Sequence, residues 1–302
     1  MEKEQQALWT PRHWPTWIAL GLARLIILLP YSVQMFIGRR LGDLAWYLIP
    51  PRRRVVEINL GICFPEWDET ERRAKAREHF RSAGMGIIET FICWWSSDHL
   101  VTRLAHYEGL ENLQDALARG HGVILLSAHF TSLELGVRMS SLKANVTAMY
   151  RAPSNPVIDH IMRNSRERIV GKKVIPKNEI RALIRALRKG EAVWYAPDQS
   201  ARNKFSAEIP FFGQPALTNL ATNRLAKMSK APVVPFFTLR REDGQGYRII
   251  ILPALENFPG EDEAADAERI NRLIEDQIRQ APTQYFWLHK RFKRRQGPDV
   301  YA

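Results

Sequence analysis

Apolar and polar positions divide the chain into three stretches of different character. The first is residues 14–37, a mostly apolar run interrupted by Arg24 and Pro30 and carrying Trp14, Trp17 and Tyr31. Its length suits a membrane span, and aromatic residues of this kind favour membrane interfaces. An amphipathic helix lying in the interface, with Arg24 reaching toward the headgroups, fits the same residues. No small-residue cleavage site follows, so the segment does not read as a removed signal peptide. The basic residues Arg39, Arg40, Arg52, Arg53 and Arg54 come next. Such a cluster puts the bulk of the chain on the cytoplasmic side.

The second stretch, residues 42–100, reads as helical. A charged run from Glu69 to His79 gives way to apolar residues at Met85, Ile88, Phe91, Ile92 and Trp95. Near residue 108 the period changes again. Short β-rich runs (Val123 to Ser127, Val146 to Tyr150, Val174-Ile175, Ala192 to Ala196, Val233 to Leu239 and Tyr247 to Leu252) alternate with helical ones (Ser132 to Lys143, Pro156 to Val170, Asn178 to Lys189 and Thr218 to Lys230). This alternation predicts an α/β fold, a largely parallel sheet sandwiched by helices. An N-terminal membrane-anchor helix and a helical segment precede it. The predicted organisation is an anchor over 1–40 and a cytoplasmic domain over 41–302, helical at 41–107 and α/β at 108–302. Asp243-Gly244-Gln245-Gly246 marks a hairpin turn before the last strand, and Ala264 to Gln280 reads as a charged amphipathic helix. No repeat, GxGxxG or P-loop interrupts this pattern.

Composition narrows the classes. With 302 residues, 45% of them hydrophobic and 25% charged, the chain can bury a sizeable core and is not disordered. The formal net charge of +12 implies an anionic partner. Cys63 and Cys93 stand in no metal-ligand spacing, so no metal is expected, and a reduced compartment suits so few thiols.

The sharpest candidate for chemistry is Val123-Ile124-Leu125-Leu126-Ser127-Ala128-His129, followed by Glu134. A buried strand that delivers a histidine past its C-terminal end puts it where open α/β sheets keep their active sites. A carboxylate accepting from one ring nitrogen leaves the other basic, ready to deprotonate a substrate hydroxyl. Glu134 is the expected orienting acid; a polar residue satisfied at the rim of the core is the plain alternative. Arg151 closes the next strand and can bind a phosphate or stabilise an oxyanion, or simply begin a surface loop. Asp198, after Trp194-Tyr195-Ala196-Pro197, can orient a base, pair with Arg151 or cap a loop. Phe211 and Phe212, in the apolar loop Ile209 to Ala216, can line an acyl pocket or pack on the protein itself. Aromatics interleaved with cations from Gln284 to Arg295 read as membrane-surface contact. No nucleic-acid-binding pattern accompanies them, so nucleic acid is not expected as a partner.

Taken in order, these segments resemble the late acyltransferases of lipid A biosynthesis. The resemblance is carried by His129-(four residues)-Glu134, Met149-Tyr150-Arg151, Asn155-Pro156, Trp194 to Gln199, Pro210 to Gly213, Gln284 to Lys293 and Asn59-Leu60-Gly61-Ile62-Cys63-Phe64-Pro65. It implies an inner-membrane enzyme with a cytoplasmic active site. Such an enzyme moves an acyl chain from acyl carrier protein to a hydroxyl on a primary acyl chain of a Kdo-containing lipid A precursor, without metal or organic cofactor. The expected partners are then the carrier protein, a phosphorylated glycolipid and the anionic membrane. A lysophosphatidic acid acyltransferase and a non-catalytic membrane-bound adaptor are the rival readings.

Overall fold

The computed structural model describes residues 8–176, 179–200, 205–293 and 298–302. Five helices come first: α1 (Trp14–Ile26), α2 (Tyr31–Leu48), α3 (Pro50–Cys63), α4 (Glu69–Trp95) and α5 (Asp98–Leu104). Strands and helices then alternate: β1 (Ala105–Glu108), α6 (Leu110–Ala118), β2 (Val123–Leu126), α7 (Leu133–Ser141), β3 (Val146–Tyr150), α8 (Pro156–Val170), β4 (Ile175–Pro176), α9 (Ile180–Arg188) and β5 (Ala192–Tyr195). The hairpin β6 (Ser206–Phe211) and β7 (Gln214–Asn219) follows, then α10 (Ala221–Ser229), β8 (Val233–Arg240), β9 (Tyr247–Ile251) and α11 (Glu263–Gln280).

Seven strands form one sheet in the order β1-β9-β8-β2-β5-β3-β4. Every pairing is parallel except β8 with β9, which are joined through the expected turn, where Arg241 N–H donates to the Gly246 carbonyl at 2.9 Å. The fold class is thus the expected one. Strand β2 is buried along its whole length. Ile124 and Leu126 face one apolar cluster, and Val123 and Leu125 face another on the opposite side. A strand covered on both faces has no reason to alternate, which is why it reads as a continuous apolar run.

The N-terminal stretch departs from the spanning expectation. The run 14–37 is divided at Pro30 into α1, of 13 residues, and α2, of 18. No helix among the described residues is long and apolar enough to cross a membrane. At 1.5 Å per residue, α1 covers about 20 Å against the roughly 30 Å of a hydrocarbon core. Helix α2 instead lies against α4. A side chain at Gly42 would meet the Phe80 carbonyl at 2.2 Å, and one at Gly84 the Gly38 carbonyl at 2.2 Å, so the backbones touch where only glycine fits.

Two apolar segments also fold differently from expectation. Ile209 to Ala216 is a two-stranded hairpin rather than a loop. Its apex, Phe212-Gly213, has φ of 49° and 70°, as a two-residue primed turn requires. The run Gln284 to Arg295, expected at a membrane surface, packs largely against the protein over its described part, residues 284–293. Trp287, Arg291 and Phe292 are buried, and Arg291 donates to the Leu217 carbonyl at 2.9 Å and to Thr218 Oγ1 at 3.0 Å. Asn59 of α3 donates to the carbonyls of Trp287 and His289, at 2.7 and 2.9 Å, which joins two of the sequence motifs. Arg294 and Arg295, and Asn178 at the start of the expected helix 178–189, lie outside the described residues.

Candidate active site

Strands β2 and β5 are parallel neighbours, so the residues just past their C-terminal ends must meet. Ser127 N–H donates to the Tyr195 carbonyl at 2.8 Å, the last rung between them. Two residues later His129 turns its ring toward Asp198. The Nδ1–Oδ1 distance is 2.7 Å, and the His129 main-chain N–H donates to the other oxygen of Asp198 at 3.0 Å. The Tyr285 side chain also lies beside this carboxylate and favours its ionised form. The loop is pinned from the other side, where Phe286 N–H donates to the His129 carbonyl and Thr131 N–H to the Gln284 carbonyl, both at 2.8 Å. Arg240, paired with the buried Glu89, donates to Thr131 Oγ1 at 2.8 Å.

The electrostatics follow from this arrangement. Asp198 is 1% exposed. Burial opposes its ionisation, yet the imidazole beside it and the donors on its oxygens hold its pKa down at about 2. Burial likewise works against an imidazolium at His129, but the Asp198 carboxylate outweighs it and raises the histidine above its ordinary value. A carboxylate at Nδ1 fixes the proton there and leaves Nε2 as the basic nitrogen. His289, whose Nε2 accepts from Ser200 N–H at 3.1 Å, is pushed by burial down to about 4 and stays neutral.

His129 opens onto a cavity of about 250 Å³ between its own loop and α4. Ala83, Gly86, Ile87 and Thr90 form the α4 wall. Their three- and four-residue spacing puts them on one helix face. The approach is close, since a side chain at Gly86 would meet the Thr131 carbonyl at 2.5 Å. Glu134 and Gln199 complete the polar part of the lining.

The sequence-derived candidates are thereby sorted. His129 and Glu134 line the same cavity, but Glu134 does not orient the imidazole. It sits in the first turn of α7, facing α8, and its carboxylate takes the guanidinium of Arg166. Asp198, from the neighbouring strand, is the ring's partner, which is one of the roles its position allowed. Arg151 is exposed beyond β3, has no ion-pair partner among the described residues and is not in the cavity wall. Phe211 and Phe212 do not line the cavity either. Phe211 is fully buried among Tyr285, Phe292 and Arg291, and Phe212 packs on Phe64, Trp287 and Arg279. Their apolar surface is spent on the protein itself. Arg166, Tyr285 and the α4 wall were not singled out by sequence. For Arg166 and α4 the only signal was an amphipathic period, which cannot say which face meets a cavity, and Tyr285 stood only as one aromatic of the Gln284–Arg295 run. Asn155, in the motif Asn155-Pro156, caps α8 by accepting from the N–H groups of Val157 and Ile158, and so sets the helix that carries Arg166.

Residues 1–294 match the family described as bacterial lipid A biosynthesis acyltransferase. The lipid A biosynthesis lauroyltransferase of Escherichia coli (strain K12) is 38% identical over 296 residues, covering 98% of this chain and 96% of that protein. The lipid A biosynthesis palmitoleoyltransferase of the same organism is 39% identical over 289 residues, covering 94% and 93%. Among solved structures, a 1-acyl-sn-glycerophosphate acyltransferase from Thermotoga maritima covers 80% of this chain and 97% of its own, with TM-score 0.39 and 12% identity.

Proposed function

The chain belongs to the bacterial lipid A biosynthesis acyltransferase family and is an acyltransferase; from that premise we propose the finer reaction and its residues. The donor is acyl carrier protein carrying a fatty acyl thioester. The acceptor is a hydroxyl on a primary acyl chain of a Kdo-containing lipid A precursor. His129 Nε2 removes the hydroxyl proton as the oxygen attacks the thioester carbonyl, and Asp198 holds the imidazole and stabilises the imidazolium that forms. The proton then passes to the leaving thiolate. The developing oxyanion needs donors, and we assign them to main-chain N–H groups in the first turn of α7, where Leu133 and Glu134 line the cavity. Glu134, itself in the lining, pairs with the Arg166 guanidinium of α8. The observation that carries this reading is the His129–Asp198 pair opening onto a mainly apolar cavity. Incubation of the purified protein with acyl carrier protein thioester and tetra-acylated acceptor, with the product weighed by mass spectrometry, tests it. Transfer to lysophosphatidic acid in preference would favour the glycerophospholipid alternative, and no transfer to either would favour an adaptor.

The cavity against α4 is the place for the acyl chain. Ala83→Leu is expected to fill part of it and shift preference to shorter donors. Two lost methylene contacts at about 0.8 kcal/mol each amount to roughly tenfold in relative kcat/KM. Competition among saturated carrier-protein thioesters measures this, and an unchanged profile would remove α4 from the chain-measuring role.

Membrane association belongs to the same reading, with the catalytic domain, residues 41–302, on the cytoplasmic side of the inner membrane and residues 1–40 as its anchor. Its support is apolar surface on α1, α2 and the turn between them, where Ile18, Leu22, Leu25, Leu28, Val33 and Phe36 are exposed. This pattern suits a helix pair lying in the interface. Ile18→Asp with Leu25→Asp is expected to weaken vesicle binding tenfold or more, because each buried aliphatic side chain contributes about 1.5–3 kcal/mol. Flotation with phosphatidylglycerol-containing vesicles reads the effect, and undiminished binding would refute this face.

A further inference from the structure

A second concavity, of about 780 Å³, lies where α3 begins, and its lining differs from that of the catalytic cavity. Arg52, Arg53 and Arg54 stand on one side and Lys290 and Tyr301 on the other, with Glu57 as the acidic member. Arg53 is drawn toward Glu57, at 4.0 Å, and over the Trp46 ring. Arg52 and Lys290 have no carboxylate partner among the described residues. The Arg52 guanidinium donates to the Leu288 carbonyl at 3.2 Å and Lys290 lies over the Tyr301 ring. Arg54 donates to the Ala302 carbonyl at 2.8 Å. With Glu57 the one acidic member, four cations leave the groove net positive, and an anion bound between them would offset their repulsion.

Two further observations fix the kind of anion. First, the groove adjoins apolar surface. Leu44, Tyr47, Leu48 and Ile49, immediately before it in the chain, are 44% to 68% exposed. A basic groove bordered by exposed aliphatic and aromatic side chains matches a molecule that is anionic at one end and hydrocarbon at the other, which a soluble acidic protein is not. Second, the groove is tied to the base. Leu288, which accepts from Arg52, is two residues from Phe286, which donates to the His129 carbonyl. Two residues span at most about 7 Å, so an anion at Arg52 sits close enough to the His129 loop for one lipid molecule to reach both.

We propose that Arg52 and Lys290 form a phosphate-binding subsite that recognises the phosphorylated headgroup of the lipid acceptor and orients its reacting chain toward His129. The proposal rests on the acceptor being a lipid A-type lipid, as argued above. The guanidinium and ammonium supply charge-assisted donors to the phosphate oxygens.

The test uses the full chain, without donor, in flotation with phosphatidylcholine vesicles carrying either a phosphorylated lipid A precursor or the same lipid after phosphatase treatment. Wild type is expected to bind the phosphorylated vesicles about tenfold more tightly, and Arg52→Gln/Lys290→Gln to lose that excess while keeping the weaker binding. In turnover, the double variant is expected to raise KM for the phosphorylated acceptor about tenfold, to leave KM for the carrier-protein donor in place and to show no such rise with the dephosphorylated acceptor. A thermal melt matching wild type checks the fold, and Arg52→Lys/Lys290→Arg is expected to restore most of the excess binding. Equal binding of both vesicle types by wild type would overturn the subsite, as would a rise confined to the donor KM, which would assign the groove to the acidic carrier. If the vesicle difference holds but wild type transfers no acyl chain to this lipid, the acceptor reading fails and the subsite stands.

Discussion

His129→Ala is expected to lower acyl transfer at least about a thousandfold, to the level of the uncatalysed thioester reaction in the bound complex. A positioned general base contributes roughly two to four orders of magnitude, and loss of the imidazole removes both the base and the acid that returns the proton to the leaving thiolate. No second histidine can substitute. His289 accepts from Ser200 N–H through Nε2, and His79 is wholly buried, with Nδ1 against the Thr283 carbonyl at 3.1 Å. Carrier-protein thiol release under single-turnover conditions measures the loss. The variant is expected to fold, because His129 is only partly buried and its main-chain bonds to Asp198 and Phe286 do not need the ring. Turnover near wild type in a protein with an unchanged melting temperature would sink base catalysis at this residue.

Much of the fold was legible because burial leaves a plain mark on local sequence. The central strand reads as a short apolar run because helices cover both its faces. The β8–β9 hairpin announces itself through Asp243 to Gly246, where Gly246 has φ of 120°. What stayed hidden depends on contacts that no local pattern encodes. Strand β1 is four residues at a sheet edge, none of them fully buried, and Ala105 and Tyr107 alone are too few apolar positions to mark it. The hairpin β6–β7 contains Pro210 and Pro215 directly opposite each other, a pairing that ordinarily argues against strands. The cations of the C-terminal motif looked like membrane contacts, yet Arg291 is buried, with the Leu217 carbonyl, the Thr218 and Ser200 hydroxyls and the Phe211 ring taking up its terminal nitrogens and its face. In the candidate site, His129 was legible from its place past a strand. Its partner was legible only as one of several roles open to Asp198, because Glu134 is near in sequence and Asp198 only in space. The parallel register of β2 and β5 decides between them.

That choice of partner yields the most discriminating expectation. Asp198→Asn is expected to reduce kcat/KM by two to four orders of magnitude and also to move its pH profile. The working base is neutral His129, whose pKa is raised above the ordinary value of about 6.5, so wild-type activity rises with pH through a midpoint above that value. In Asp198→Asn the negative charge is gone while burial, which lowers the histidine, remains. The acid limb therefore moves to lower pH as the plateau falls. The plateau falls because an asparagine at 2.7 Å from Nδ1 can offer an N–H there. The proton then goes to Nε2, the nitrogen that must be basic. The corresponding change in a serine-protease triad costs about ten-thousandfold for this reason. Glu134→Gln leaves the Asp198–imidazole contact intact and loosens Arg166 instead, so its acid limb is expected to stay where wild type has it, whatever happens to the plateau. The comparison of the two limbs, with log kcat/KM followed from pH 5 to 9, separates the roles. A limb that moves in Glu134→Gln and stays in Asp198→Asn would return the orienting role to the residue nearer in sequence and overturn the assignment drawn from the geometry.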